Sequence, residues 1–256
     1  MEKNEKIIFC SKTDVGQYRT SNQDYVGHSS NAYGQHIAIV CDGMGGHKHG
    51  DKASELCVNR LIEMFNEKDF SKSSDSDIND WLIDTIYSIQ DYMLKFTIKN
   101  PEYGDMGTTL VTAVMSNSKI FVANVGDSRL YKLHNNKIYQ ITEDQNIYNS
   151  TTQDERTKLL QNPHLKNKYN EDTFWKILTS ALGPTKKMKI DTYIIKDTPG
   201  QYILTTDGIH DFLDTSEMYN ILKSNKKADD KLKDIIQLAL DNFSTDNLSA
   251  LLFEIK

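Results

Sequence analysis

The chain has 256 residues, 38% hydrophobic and 26% charged, with a formal net charge of −6 at pH 7. That is enough apolar material for a full core, while the acidic balance argues against a nucleic-acid partner, which needs clustered Lys and Arg. The polar start at residues 1–6 lacks the apolar core of a signal peptide, and no stretch is long and apolar enough to span a membrane. In chain order, a strand is expected over 7–11 and a near-continuous apolar one over 36–41. Val58, Leu61, Ile62 and Phe65 form a helical stripe. The Ser/Asp-rich patch 71–77 reads as a surface loop, and Leu82, Ile86, Ile89, Met93 and Phe96 then share one face of a second helix. Strand-like runs follow over 108–115, 120–125, 130–133 and 138–141, with Asn135-Asn136 as a two-residue hairpin turn between the last two.

Residues 143–172 are polar and lack strand patterning; they read either as a lid or binding loop or as a surface excursion. Within them, Thr152 to Glu155 predicts a capping box opening a short helix through Leu160. Strands over 189–195 and 202–206, helical stripes at Met218, Ile221, Leu222 and at Leu232, Ile235, Ile236, Ala239, and a strand over 248–255 complete the chain. This order favours a layered α+β domain, with helices covering two stacked sheets. Only 4 prolines and no linker or repeat interrupt it, so residues 1–256 are expected to form one domain. The 3 cysteines, Cys10, Cys41 and Cys57, have no metal-ligand spacing and are odd in number, which points to reduced thiols and a cytoplasmic protein.

Aspartates punctuate the ends of the apolar runs. Asp42 closes 36–41 and opens Asp-Gly-Met-Gly-Gly; Asp127 follows 120–125; Asp207 follows 202–206 and precedes Gly208; Asp246 precedes the final strand. Taken singly, Asp-Gly is a favoured hairpin pair. Taken together, strands converging in a sheet would gather these carboxylates. Packed carboxylates repel unless one is protonated or a cation lies between them. Oxygen ligands of this kind select Mg²⁺, Mn²⁺ or Ca²⁺, so the pattern points to a polynuclear metal site and metal-assisted hydrolysis.

At this point the chain resembles a known family. The residues that carry the likeness run in order from Thr13 to Asn247: Thr13-Asp14-Val15-Gly16 through Arg19 to Asp24; Asp42-Gly43-Met44-Gly45-Gly46-His47 with Gly50, Ala53 and Ser54; Gly107-Thr108-Thr109; Asn124 to Arg129; Leu178 to Gly183; Thr206 to Asp211; and Thr245-Asp246-Asn247. They resemble the type 2C serine/threonine protein phosphatases of the metal-dependent (PPM) family, in the bacterial single-domain form. The resemblance implies a four-layer α/β/β/α sandwich, its two central, mostly antiparallel sheets flanked by helix pairs. It implies two or three divalent cations, Mn²⁺ or Mg²⁺. Asp42 would bridge the central pair, with Gly43 (through its carbonyl), Asp24, Asp207 and Asp246 completing it. A third site would use Asp127, Asp207 and Asp211, and Arg19 would grip the substrate phosphate. The implied reaction is direct attack of a metal-bridging water on phosphoserine or phosphothreonine, without a phospho-enzyme. The implied partners are phosphorylated proteins, substrates of a Ser/Thr kinase, met by a monomer.

The chain departs from the family pattern at places. Gln23 stands where many members have Glu, Met44 where animal members have a histidine proposed as general acid, and Gln145 where a histidine is common. His47, His49 and His210 are weak candidates for metal or acid chemistry. Two further readings stand beside the enzyme: a pseudophosphatase that binds a phosphoprotein or kinase without turnover, and a regulatory phosphatase for anti-anti-sigma factors.

Overall fold

The computed structural model describes residues 7–44, 49–161 and 170–256. Its strands are β1 (Ile7–Asp14), β2 (Asp24–Ser30), β3 (His36–Met44), β4 (Gly107–Thr108), β5 (Leu110–Ser116), β6 (Lys119–Val125), β7 (Arg129–His134), β8 (Lys137–Gln140), β9 (Asp191–Ile195), β10 (Gly200–Thr205) and β11 (Leu248–Ile255). One sheet runs β1-β11-β10-β7-β8 and the other β2-β3-β5-β6-β9, with β4 paired to β3. Every pairing is antiparallel. The helices are α1 (Gly50–Asn66), α2 (Asp75–Lys99), α3 (Gln153–Gln161), α4 (Glu171–Trp175), α5 (Asp207–His210), α6 (Thr215–Leu222) and α7 (Ala228–Asp241).

Three apolar layers hold these elements as a four-layer α/β/β/α sandwich. Ile37, Ile39, Phe121 and Ala123 meet α1 and α2 through Cys57, Leu61, Leu82 and Ile86. The opposite faces of the same strands, with Ala38, Val40, Val111 and Val122, meet Tyr202, Leu204, Leu251 and Phe253 of the other sheet. The outer face of that sheet, with Ile203, Ala250 and Leu252, is covered by Met218, Leu232, Ile235 and Ala239 of α6 and α7. Strands buried on both faces lose the polar alternation of a half-exposed strand, which is why they read as continuous apolar runs.

Most expected elements are present, with informative differences. The expected run 108–115 is broken at Thr109, which turns its backbone N–H to the Asp42 carbonyl at 2.8 Å. Strand β2 was not anticipated; it is a partly exposed edge strand whose Gly27 lies under Val58 and Ile62 of α1. The patch 71–77 is only half loop. Ser74 caps α2, accepting from Asp77 N while the Asp77 carboxylate accepts from Ser74 N, so Asp75 to Asp77 are the first helical turn. Asn135 and Asn136, at φ 48° and 59°, make the expected hairpin turn, and Asn117-Ser118 makes another.

Candidate active site

The antiparallel registers carry the aspartates to one end of both sheets. Asp24, first residue of β2, is paired across the ladder with Asp42 near the end of β3. In the other sheet Thr205 of β10 is paired with Ala250 on one side and Arg129 on the other. Asp207, Asp246 and Asp127 therefore leave the sheet at the same edge. Neither Asp-Gly pair is a hairpin: Asp42-Gly43 lies inside β3, and Asp207-Gly208 opens α5.

Close backbone approaches and short hydroxyl bonds lock this edge. A Cβ on Gly43 would stand 2.2 Å from the Gly50 carbonyl, and one on Gly208 2.0 Å from that of Asn247. Thr109 Oγ1 accepts from Asp42 N at 2.9 Å and is 2.6 Å from Ser128 Oγ, tying the Asp42 strand to the turn that bears Asp127. Thr206 Oγ1 donates to Asp24 at 2.9 Å. Asn247 accepts from Gln23 N and donates to the carbonyls of Val15 and Ser21, fixing the loop that presents Arg19. Gln23 builds the site through its backbone, its carbonyl accepting from Ser54 Oγ and Gly43 N.

The result is a buried acidic cluster. Burial, then the charges of Asp207 and Asp246, push Asp24 up to about 7, although bonds from Ser249 and Thr206 oppose the shift. Burial, then Asp246 and Asp211, push Asp207 up to about 6. Asp42 is held well above the usual carboxylate range by burial and by Asp207, Asp24, Asp127 and Asp246. Asp127 is raised likewise by burial, Asp207, Asp144 and Asp211. Asp207 Oδ1 is buried without a hydrogen-bond partner. Mutual repulsion and an orphaned carboxylate oxygen are the conditions a divalent cation relieves. These residues, with the Gly43 carbonyl at the close approach to Gly50, fit such ions.

At its rim the cluster is met by the protein's own cations. Arg19 donates to Asp246 at 2.7 Å, and Lys176 to Asp211 at 2.7 Å. Among the described residues no three His, Cys, Asp or Glu side chains stand in ready ligand geometry. Beside Asp127 and Asp211 a cavity of about 680 Å³ runs past Arg129 to Tyr148 and Trp175. Arg129 is fixed there by a two-pronged pair with Asp144, at 2.8 and 2.6 Å.

The structure thus gathers Asp24, Asp42, Asp127, Asp207, Asp211 and Asp246, and sets Arg19 beside them. It does not bring His49 in: that ring packs on Tyr103 at 4.2 Å. His47 lies outside the described residues. His210 is buried, bonded to Thr205 at 2.9 Å, and kept neutral by burial and by Arg129 and Lys176. Thr109, Ser128, Thr206 and Asn247 also hold the site, each inside a motif that carries the family resemblance but with no chemistry of its own to mark it.

Comparison with known proteins agrees with this architecture. The serine/threonine phosphatase Stp1 from Staphylococcus aureus superposes with a TM-score of 0.83 at 30% identity, over 100% of this chain and 98% of that one. The catalytic domain of the serine threonine protein phosphatase PstP, solved in complex with two manganese ions, superposes at 0.74 with 19% identity over 97% of this chain and 98% of its own. The serine/threonine phosphatase stp of Listeria welshimeri is 34% identical over 244 residues, 95% of this chain and 94% of the relative. The fold is thus that of the bacterial serine/threonine phosphatases. The model of the protein phosphatase 2C family matches residues 17–252, and the chain belongs to that family.

Proposed function

We propose that this protein hydrolyses phosphoserine and phosphothreonine on other proteins, using Mn²⁺ or Mg²⁺ held at the end of the two sheets. The observation that carries the reading is the buried set Asp24, Asp42, Asp127 and Asp207, whose charges oppose one another around an unpartnered Asp207 oxygen. Asp42, Asp207 and Asp246 are the principal ligands, with Asp24 and the Gly43 carbonyl beside them. Asp127 and Asp211, with Asp207, form a further site. Bound cations supply Lewis acidity and lower the pKa of water.

The chain's own residues do the rest. Arg19 leaves Asp246 for the substrate phosphate, where its fork can hold two oxygens. Thr109 and Ser128 keep Asp42 and Asp127 at a fixed separation, and Thr206 aims Asp24. The phosphoryl group passes directly to water, the bond to the serine or threonine oxygen breaks, that oxygen takes up a proton from solvent, and no side chain is phosphorylated. The whole chain acts as one catalytic domain, and the part of 143–172 bordering the cavity beside Tyr148 is a lid or binding wall for the substrate protein. Among the described residues no helix is long and apolar enough to cross a membrane. We place the protein in the cytoplasm as a monomer, acting on the products of a Ser/Thr kinase.

The test is turnover of p-nitrophenyl phosphate and of phosphopeptides against Mn²⁺ concentration, with calorimetric metal titration. Saturable, Mn²⁺-dependent turnover is expected. Folded protein that takes up no metal and releases no phosphate would restore the binding-only pseudophosphatase reading.

A further inference from the structure

We propose that Gln145 is a positioning residue that sets Asp127 in the acidic cluster, a role resting on the reading of Asp127 as a cation-holding carboxylate. Asp127 sits on the turn between β6 and β7. Gly126, just before it, has φ +94°, and a Cβ there would lie 2.7 Å from Thr109 Cγ2. The turn therefore has no side chain of its own at that point to hold it. Gln145 grips it there from both sides of one glycine, beside Asn124, whose Nδ2 donates to the same Gly126 carbonyl at 3.2 Å. Its Oε1 accepts from Gly126 N at 2.9 Å, and its backbone N donates to the Gly126 carbonyl at 3.0 Å.

The other end of the amide is anchored to the sheet. Nε2 donates to Asp191 Oδ2 at 2.8 Å and to the Asn124 carbonyl at 3.3 Å. The Gln145 carbonyl in turn accepts from Thr179 N at 2.8 Å and Thr179 Oγ1 at 3.0 Å. Gln145 is only 4% exposed, so water does not replace these bonds. The position requires one acceptor facing Gly126 and one donor facing Asp191. An amide supplies both, and so does a neutral imidazole. A carboxylate offers no donor and would face Asp191 with like charge.

Groups that orient a metal's ligands typically change metal affinity or activity by about 10- to 100-fold when removed. The test uses the full chain and two readouts: calorimetric Mn²⁺ titration, and kinetics on p-nitrophenyl phosphate. Asp127→Asn identifies the binding event that depends on Asp127. Gln145→Ala and Gln145→Glu are expected to weaken that same event by about 10- to 100-fold and to lower kcat with little change in KM. Gln145→His is expected to restore the parental titration and kcat. A merely structural role predicts lower melting temperatures with titration and kcat intact, and that outcome for folded Gln145→Ala or Gln145→Glu overturns the proposal. So does a folded Gln145→His with the weakened titration. An Asp127→Asn protein with parental titration overturns the reading of Asp127 itself. A weakened Asp127→Asn beside a parental Gln145→Ala overturns the positioning role alone.

Discussion

Arg19 and Asp246 form the pair that the proposed phosphate contact would open. Their contact at 2.7 Å is half open to water, with 53% of the Arg19 side chain and 31% of Asp246 exposed. Exposed pairs of this kind contribute about 0–1 kcal/mol, so Arg19 can exchange Asp246 for a phosphate with little loss. Arg19→Ala should therefore leave the melting temperature nearly unchanged. It should raise Mn²⁺ affinity by up to about fivefold, since the metal no longer competes with a guanidinium for Asp246, and raise KM for phosphopeptides. Weaker Mn²⁺ binding by this variant would show that Arg19 supports the metal site rather than competing with it. Asp207 sits at the opposite extreme, buried and without a partner for Oδ1. Asp207→Asn removes a repelled charge and, on the proposed function, a cation ligand together. The metal-free protein should melt at a higher temperature while turnover falls by about a hundredfold or more, because several kcal/mol of charge stabilisation is lost. An active Asp207→Asn enzyme would remove Asp207 from the site.

Among the elements, the contact of β3 with the start of α1 is demanding on both sides. Gly43 and Gly50 approach so closely that a Cβ on Gly50 would stand 2.4 Å from the Gly43 carbonyl. Gly50→Ala must push the helix off the strand, costing about 1–3 kcal/mol, and should weaken Mn²⁺ binding because the Gly43 carbonyl moves with it. Thermal melts with metal titration check both; a variant with parental melting and metal affinity would show that the approach is slack. Elements of this kind differ in how plainly the sequence displays them. Helix α2 is legible because its stripe of Leu82, Ile86, Ile89 and Met93 is buried on one face only. Strand β2 was not legible: Asp24-Tyr25-Val26-Gly27-His28-Ser29-Ser30 alternates only partly in burial, and its glycine is there for the helix above it. The break at Thr109 was hidden because it answers to Asp42, distant in sequence.

For the molecule as a whole, the carboxylates were visible in advance because strand ends are local features, whereas what holds them is not. Thr206 to Asp24 and Asn247 to Val15 join opposite ends of the chain, and no local pattern announces such bonds. Gathering the acids has a cost that pH should reveal in the metal-free protein. Unfolded carboxylates lose their protons near pH 4, but the folded chain holds Asp207 to about 6 and Asp24 to about 7, with Asp42 and Asp127 also raised. Between those limits the native state binds more protons than the unfolded one, so unfolding free energy falls as pH rises. The stabilisation is complete below about pH 4 and is lost as pH climbs through 6 to 7. Metal-free protein should accordingly melt lower at pH 7.5 than at pH 5, by on the order of 5 °C. Mn²⁺ should reverse the trend, since it binds the deprotonated carboxylates and its stabilisation grows with pH. Asp24→Asn, which removes one of the raised groups, should flatten the metal-free profile. Calorimetric melts of chelator-treated and Mn²⁺-loaded protein across this range measure both slopes. A metal-free melting temperature that stays level or rises from pH 5 to 7.5 would mean that these aspartates are already ionised and compensated in the fold, with no unmet charge for a cation to satisfy.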